Sequence, residues 1–391
     1  MIKLTPTMGW NSWNTLGTNI NEQVIKEIAD TMVETGLRDA GYEYLCIDDC
    51  WSEGERGQDG RLKADSQKFP NGMKAIADYV HSKGLKFGMY TSSGHRMCMG
   101  AAASYDYEFE DVETFASWGA DLLKYDFCHR PAALSAEYTY RRMGAALASC
   151  GRDILFSACS WGKEDTYKWI KTTGASMWRS TGDINDSWGS INDIYMQQLE
   201  LQPYNGLGCF NDMDMLVVGM NGGGNVGVSG CTYEEYKTHF SLWAILNSPL
   251  MIGCDIRSMS EETKSILMNR EVIAINQDPA GRQPFLLHGG HELYDLKAYI
   301  WAKLLNNGDF AIGMFNMEDN ASHMTFSAVD LGFGRTSGRR LVLTDLWTGE
   351  EQPMLGGIEV AMSVEGHGCK MFRAKAVKDE SGGLLPMRQA A

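Results

Sequence analysis

Two aspartates stand where buried strands are expected to end. Asp126 closes the apolar stretch ADLLKYD, and Asp183 closes the segment WRSTGD. Each is preceded by a cation, because Lys124 lies two residues before Asp126 and Arg179 lies four residues before Asp183. Charged side chains among apolar neighbours need partners or a chemical task. Two carboxylates at separate strand ends could supply a nucleophile and an acid/base, which is the equipment for cleaving a glycosidic bond.

The elements that must position these residues are alternating strands and helices, at a spacing typical of βα units. The predicted strands are 4–10, 44–47, 86–90, 121–125, 154–157, 176–179, 208–210 and 249–252. The predicted helices are 22–39, 72–83, 111–118, 132–149, 164–173, 186–200, 232–246 and 261–268. This pattern predicts an α/β fold built as a (β/α)8 TIM barrel.

The pattern changes beyond Asn276, where short alternating segments such as LKAYIWAKLL and DFAIGMFNM are separated by turns such as NNGD. Such a pattern is typical of an antiparallel β domain. We therefore predict a catalytic barrel over residues 1–286 and a C-terminal β-sandwich over residues 287–391. The final segment, SGGLLPMRQAA, lacks a packing pattern and is expected to be frayed.

The composition restricts the partners. The formal net charge of −15 disfavours nucleic acid, because phosphate contacts need clustered Lys and Arg. The sequence has neither a membrane-spanning apolar run nor a signal peptide, so a cytoplasmic protein without a membrane partner is expected if Met1 is the native start. Ten cysteines lie mostly in apolar contexts and the eight histidines lack ligand spacing, so we expect no metal and no cofactor.

In a parallel eight-stranded barrel, the polar residues at the strand ends can be read as one cluster. Carboxylates accept hydrogen bonds from sugar hydroxyls, and indole faces pack on the apolar face of a pyranose ring. Trp10 is expected in the core, and Trp13 is expected in the pocket. The cluster has the composition of a carbohydrate site, and its members are Trp13, Asp48, Asp49, Trp51, Tyr90, Lys124, Asp126, Ser160, Trp161, Arg179, Asp183, Asp212, Asp214 and Met215.

A glycine pattern could suggest a nucleotide site instead. Gly222, Gly224 and Gly227 satisfy GxGxxG, but no helix is predicted directly after them and the surrounding βα units form a barrel. We therefore reject dinucleotide binding and expect a loop insertion that could border the pocket entrance.

Nine segments, in their order, resemble glycoside hydrolase family 27, whose members include α-galactosidases and α-N-acetylgalactosaminidases. The segments are TPTMGWNSWN, GYEYLCIDDCW, KFPNGM, ASWGADLLKYDFC, WRSTGDINDSW, NDMDML and SPLMIGCDIR in the barrel, and DLWTGE and HGCKMF in the β domain. The resemblance implies a retaining exo-hydrolase that removes terminal α-linked D-galactose. It also implies that Asp126 is the nucleophile and Asp183 the general acid/base.

The resemblance also assigns the sugar contacts. It implies a Cys98–Cys128 disulfide beside the pocket, which could be absent or redox-dependent in a cytoplasmic protein. Lys124 is expected to keep Asp126 ionised, whereas Asp183 is expected to keep its proton in a more apolar setting, with Arg179 assigned to binding. The predicted substrate-binding residues are Trp13, Asp48, Asp49, Tyr90, Cys98, Lys124, Cys128, Ser160, Trp161, Arg179, Asp214 and Met215.

Three positions depart from the family pattern. Gly17 stands where many relatives have a cysteine, so Cys50 lacks its partner. Met213 replaces the usual proline, which is expected to loosen the loop that carries Asp214. Ser160 replaces the glutamate that α-galactosidases commonly place beside the second carbon of the sugar, and so leaves room there.

These departures keep alternatives open. The room at Ser160 makes an α-N-acetylgalactosaminidase the first alternative to an α-galactosidase, and a β-L-arabinopyranosidase is a weaker one. A non-catalytic galactose-binding protein is the alternative from another class, although both carboxylates are present. Because barrels with β-sandwich tails often oligomerise, a homo-oligomer is a further hypothesis.

Overall fold

The computed structural model describes residues 5–291, 296–334, 337–354 and 359–378. The terminal segment predicted to be frayed lies outside these residues. Contacts divide the chain into two compact units. The first comprises the residues up to Thr232 together with Asn247–Met268, and the second comprises Tyr233–Leu246 and the residues from Asn269 onward.

The first unit contains an eight-stranded parallel sheet that closes on itself. Strands β1 to β7 pair in chain order, and β8 returns to pair with β1. Leu216, just after β7, forms a parallel bridge with Ile252 of β8 and completes the ring. The predicted barrel is confirmed, and its strands are β1 (Met8–Asn11), β2 (Tyr44–Cys46), β3 (Lys86–Ser92), β4 (Leu122–Asp126), β5 (Leu155–Cys159), β6 (Met177–Arg179), β7 (Phe210–Asp212) and β8 (Leu250–Ile252).

The helices in the described part of the chain are α1 (Trp13–Leu16), α2 (Glu22–Glu34), α3 (Gly72–Ser82), α4 (Glu108–Trp118), α5 (Ala136–Ser149), α6 (Trp188–Leu201), α7 (Tyr233–Ile245), α8 (Glu261–Leu267) and α9 (Arg270–Asn276). Five of them begin at side-chain caps that accept hydrogen bonds from free first-turn N–H groups, namely Asn21, Ser135, Ser187, Ser260 and Asn269. Helix α2 buries Ile25, Ile28, Ala29 and Met32, the spacing of one helix face. Within the described ranges, we find no helix with the length and apolar character needed to cross a membrane.

One predicted helix is wrong. Residues 164–173 form two short 3₁₀ turns, Thr166–Lys168 and Ile170–Thr172. Glu164 and Asp165 have φ angles of 52° and 50°, a left-handed conformation that cannot start an α-helix. Strand β7 also begins two residues later than predicted, and α1 and α9 were not predicted.

The second unit contains two antiparallel sheets. The six-stranded sheet has the order β14-β13-β16-β11-β10-β9, and β12 pairs with β15. Ile312 and Phe372 of the larger sheet share one apolar core with Met324 and Phe326 of the smaller sheet, which confirms the predicted β-sandwich. The strands are β9 (Phe285–His291), β10 (Leu296–Leu304), β11 (Phe310–Asn316), β12 (Ser322–Ser327), β13 (Arg339–Asp345), β14 (Glu351–Met354), β15 (Glu359–Val364) and β16 (Cys369–Lys378). The domain boundary at 286/287 stays a prediction, and β9 spans that position.

Candidate active site

The carboxyl ends of the barrel strands surround a cavity of about 100 Å³. Parallel strands place their carboxyl ends on one rim, so side chains that are distant in the sequence meet there. The cavity brings together most of the predicted site, namely Trp13, Asp48, Asp49, Tyr90, Cys98, Lys124, Asp126, Trp161, Arg179, Asp183, Asp214 and Met215.

Four predicted residues do not line this cavity, namely Trp51, Cys128, Ser160 and Asp212. Trp51 is fully buried, and its indole N–H donates to the carbonyl of Tyr90 over 2.9 Å. Ser160 is fully buried, and its Oγ lies 2.8 Å from Oγ1 of Thr166 within the same loop. Cys128 is half-buried, and its Sγ lies 4.0 Å from Oδ1 of Asp126. The wall that follows β5 is therefore formed by Trp161 and not by Ser160.

Three lining residues were missed by the sequence analysis, namely Asn14, Ile184 and Val226. Asn14 belongs to the GWNSWN segment and Ile184 follows Asp183, so both lay beside recognised positions. Val226 belongs to the glycine-rich loop, which is the segment that contains Gly222, Gly224 and Gly227. This loop was expected to border the pocket, and the position of Val226 confirms that expectation. The backbone N–H of Val226 donates to the carbonyl of Asn14 over 3.2 Å, which holds the loop against the residues after β1.

Asp186 fastens the glycine-rich loop to the segment that follows β6. Its N–H donates to the carbonyl of Val226 over 3.1 Å, and its carbonyl accepts from the N–H of Gly230 over 2.9 Å. Its carboxylate accepts from the N–H of Gly222 over 2.7 Å. Asp186 is fully buried and lies three residues after Asp183, so the two loops are bonded side by side.

The Cys98–Cys128 disulfide implied by the resemblance is present, and it joins the loop after β3 to the loop after β4. The hydroxyl of Tyr90 donates to Sγ of Cys98 over 3.0 Å. Cys50 is a free thiol, as expected from Gly17. Among the described residues, Cys98, Asp126 and Cys128 form the one group with atoms close enough to share a metal ion, but both sulfurs are used in the disulfide.

The side chain of Lys124 forms ion pairs with two carboxylates, those of Asp48 and Asp126. Its Nζ lies 2.8 Å from Oδ2 of Asp48 and 3.8 Å from Oδ2 of Asp126. Asp48 also accepts a hydrogen bond of 2.8 Å from the side chain of Asn11, a β1 residue that carried no signal in the sequence. The charge of Lys124 is therefore shared, and Asp48 is its closer partner.

Asp126 ends strand β4 and is only 5% exposed. Burial raises the pKa of its carboxyl to about 6, although the charge of Lys124 and the N–H of Phe127 act in the opposite direction. That N–H donates to Oδ1 of Asp126 over 2.7 Å. Lys124 acts on Asp126 in the expected direction, because its charge lowers the pKa, but burial is the larger effect and leaves the pKa above its ordinary value.

Arg179 lies between Asp183 and Asp214. Its Nη2 is 2.9 Å from Oδ1 of Asp183, and its Nη1 is 3.0 Å from Oδ1 of Asp214. Desolvation raises the pKa of Asp183, but the charges of Arg179 and Lys124 and the hydrogen bond from Arg179 outweigh it and leave the pKa below its ordinary value. The predicted proton-holding setting of Asp183 is therefore wrong, because Arg179 contacts this carboxylate directly.

Asp214 holds the backbone beside Asp183. Its Oδ2 accepts from the N–H of Ile184 over 2.8 Å, and its own N–H donates to Oδ1 of Asp212 over 2.9 Å. The preceding residue, Met213, donates its N–H to Oγ of Ser248 over 3.0 Å. A proline has no N–H to donate, so Met213 fastens this loop through a bond that a proline could not make. The expected loosening of the loop stays a prediction.

The strand ends of this parallel barrel bring together two candidate catalytic carboxylates, two cationic side chains and two indole rings. This combination is typical of a barrel glycoside hydrolase. The family model described as alpha galactosidase A matches residues 5–278, and the model described as the alpha galactosidase C-terminal beta sandwich domain matches residues 297–374. The chain belongs to the α-galactosidase family, glycoside hydrolase family 27.

Similarity to individual relatives extends over both domains. An α-galactosidase of Cyamopsis tetragonoloba is 43% identical over 94% of this chain and 85% of its own length. The solved α-galactosidase I of Mortierella vinacea is 33% identical, with a TM-score of 0.86 over 95% of this chain and 97% of that chain. The solved α-galactosidase of Saccharomyces cerevisiae with raffinose is 29% identical, with a TM-score of 0.86 over 96% and 98% of the two chains.

Proposed function

We propose that this chain is a retaining exo-α-galactosidase that releases terminal α-linked D-galactose from oligosaccharides or glycoconjugates. The observation that carries the proposal is the meeting of Asp126 and Asp183 in one cavity lined by further carboxylates and by Trp13 and Trp161. The identity to α-galactosidases over most of the chain supports galactose as the sugar.

In the first step, Asp126 attacks the anomeric carbon as the bond to the leaving oxygen breaks, and the proton of Asp183 passes to that oxygen. In the second step, Asp183 takes a proton from water, and the resulting hydroxide displaces Asp126 from the anomeric carbon. Arg179 contacts Asp183 and stabilises its ionised form, which is the form that the second step requires. Two inversions leave the released galactose in the α configuration.

The alternatives have less support. The N-acetylgalactosaminide hypothesis rested on Ser160, whose hydroxyl is buried in its own loop and does not line the cavity. The β-L-arabinopyranosidase hypothesis has both Asp48 and Asp49 against it, since both carboxylates line the cavity. A non-catalytic galactose-binding protein has no need of two carboxylates held against Lys124 and Arg179.

Hydrolysis of 4-nitrophenyl α-galactoside beside 4-nitrophenyl α-N-acetylgalactosaminide tests the sugar. We expect a large kcat/KM preference for the galactoside. A preference for the N-acetyl sugar would move the first alternative into the leading place. Binding of galactose without cleavage of either substrate would establish the non-catalytic hypothesis.

Replacement of each carboxylate by alanine, with azide present, tests the roles. In Asp126→Ala, azide can enter only the position that Asp126 vacates, so a single displacement gives β-galactosyl azide. In Asp183→Ala, azide displaces Asp126 from the galactosyl-enzyme, so a double displacement gives α-galactosyl azide. The opposite pattern of products would exchange the two assignments.

The isosteric Asp126→Asn variant should fold normally and lose about 10⁴-fold or more of its turnover, because it has no nucleophile. Asp121→Asn is the matched control, since Asp121 immediately precedes the same strand and pairs there with Arg152 at 2.5 Å, away from the cavity. Wild-type rates in Asp126→Asn would refute the nucleophile assignment.

The cytoplasmic location and the homo-oligomer stay proposals. Disulfides are rare in reducing compartments, so the Cys98–Cys128 bond makes location the first of these to test. Cell fractionation with a thiol count on the isolated protein tests location, and light scattering of the purified protein tests the oligomer.

A further inference from the structure

The loop that carries Trp161 into the cavity has an unusual backbone. Between β5 and the first 3₁₀ turn, Trp161, Gly162, Glu164 and Asp165 have φ angles of 54°, 67°, 52° and 50°. Left-handed backbone is unfavourable for residues with a Cβ atom, so such a run persists only where its surroundings hold it. The position of Trp161 therefore depends on the contacts of its loop.

Part of this support comes from the loop and its backbone neighbours. The N–H of Gly162 donates to the carbonyl of Arg179 over 2.9 Å. A Cβ at Gly162 would lie 2.3 Å from the carbonyl oxygen of Ser180, so the loop packs directly on the segment after β6. The indole N–H of Trp169 donates to the carbonyl of Glu164 over 2.9 Å.

The remaining support comes from the side chain of Glu164. One carboxylate oxygen pairs with the guanidinium of Arg130, and the other accepts from the N–H of Ala136, the first residue of α5, over 2.7 Å. Glu164 thus fastens the Trp161 loop to the segment after β4 and to a helix start.

The same contacts lead back to the cavity. Arg130 is 9% exposed and lies over the ring of Phe127, with its guanidinium carbon 4.9 Å from the ring centroid. The ring of Phe127 lies 5.5 Å from that of Trp161, and Phe127 directly follows Asp126. A continuous set of contacts therefore lies beside the candidate nucleophile and runs from Glu164 through Arg130 and Phe127 to Trp161.

We propose that Glu164 is a positioning residue that, through Arg130, fixes Trp161 against the sugar and makes the cavity reject sugars larger than galactose. This inference rests on the proposed function. The physical reason is that an indole held in one position leaves a cavity of fixed size, which admits only a sugar that fits beside it. If Glu164 no longer pairs with Arg130, the loop can shift and the indole of Trp161 can move away from the sugar. Glu164 itself does not line the cavity.

Glu164→Gln tests the proposal, because glutamine keeps the size and can still accept from Ala136 but cannot form the ion pair with Arg130. We expect the KM for 4-nitrophenyl α-galactoside to rise about tenfold, the size of one lost aromatic contact, with kcat nearly unchanged. The kcat/KM ratio of the galactoside over the N-acetylgalactosaminide should fall. Glu137→Gln is the matched control, since it removes the exposed ion pair of Glu137 with Arg141 on α5 and should alter neither quantity.

Two further variants separate positioning from a general loss of stability. In a Trp161→Ala background, Glu164→Gln should have no additional effect on KM, because its effect passes through the indole. Arg130→Lys keeps the positive charge and should give a smaller rise in KM than Glu164→Gln. An equal effect of Glu164→Gln with and without Trp161 would overturn the proposal.

Hydrogen exchange of residues 160–166 in the ligand-free protein provides a readout that needs no turnover. We expect faster exchange in Glu164→Gln than in wild type or Glu137→Gln. Faster exchange with unchanged KM and selectivity would overturn the proposal, as would unchanged exchange. If wild type cleaves neither sugar, the proposed function fails, and the exchange result still decides whether Glu164 holds the loop.

Discussion

The guanidinium of Arg179 lies 2.9 Å from the carboxylate of Asp183, and this contact helps to reverse the pKa order expected of the two candidate catalytic groups. The pKa of Asp126 is raised to about 6, and that of Asp183 lies below its ordinary value. When the pair holds one proton, that proton therefore resides mainly on Asp126 in the free enzyme. Catalysis needs it on Asp183, so the active species is the minor arrangement of a singly protonated pair.

We accordingly expect a bell-shaped pH profile of kcat/KM with its maximum on the acidic side of neutrality. Above an apparent pKa of about 6 the pair loses its only proton and no acid remains, so the rate falls as the pH rises. Below the lowered pKa of Asp183 the pair takes a second proton and Asp126 cannot attack. Initial rates on an oligosaccharide such as raffinose, measured across the pH range, test this expectation.

Asp183→Asn assayed with 4-nitrophenyl α-galactoside is the control for that profile. Because nitrophenolate leaves without protonation, kcat/KM then requires only an ionised Asp126. The rate should rise as the pH passes the pKa of Asp126 and then stay level, whereas the wild-type rate falls there. An alkaline decline that persists in Asp183→Asn would show that the proton belongs to a group outside the pair.

Lys124→Met should destabilise the barrel, because it leaves Asp48 buried without its cation. Loss of one member of a buried pair costs about 3–5 kcal/mol, and urea denaturation measures it. The alkaline limb of kcat/KM should also move to higher pH, since Lys124 lowers the pKa of Asp126. Lys86→Met, which removes an exposed ion pair with Glu43, should cost only about 1 kcal/mol or less.

Ser160→Ala should leave the preference for galactose intact. The hydroxyl of Ser160 bonds to Thr166 of its own loop, so its loss should lower the unfolding free energy by roughly 1 kcal/mol without changing the cavity wall. Comparison of kcat/KM on the galactoside and the N-acetylgalactosaminide checks the preference. A strong shift toward the N-acetyl sugar would restore Ser160 as the specificity determinant.

Reduction of the Cys98–Cys128 disulfide should lower stability by roughly 3–4 kcal/mol, because the bond closes a loop with a sequence separation of 30. The KM for galactosides should rise as well, since the N–H of Met99 beside Cys98 donates to Asp49 over 2.8 Å. Thermal denaturation and kinetics with and without dithiothreitol measure both effects. Cys150→Ser should change neither, because Cys150 is a free thiol. An unchanged melting temperature after verified reduction would contradict the prediction.

The sequence could predict which strand ends carry the site, because a charged residue that closes a buried run, such as Asp126, gives a strong local signal. It could not predict where long side chains point after the strand ends. Arg179 turns to Asp183 and Asp214, and spacing along the chain does not encode that direction. The left-handed backbone at Trp161 likewise directs the indole into the cavity and leaves Ser160 buried in the loop.

The three backbone and side-chain bonds of Asp186 have a consequence for anyone who redesigns the entrance of this enzyme. They join the glycine-rich loop to the loop that bears Asp183, so the two loops should move together. If a longer or foreign loop replaced the glycine-rich loop without keeping its hydrogen bonds to Asp186, Asp183 would be displaced as well. We therefore expect that changes of aglycone preference will require both loops to be exchanged together.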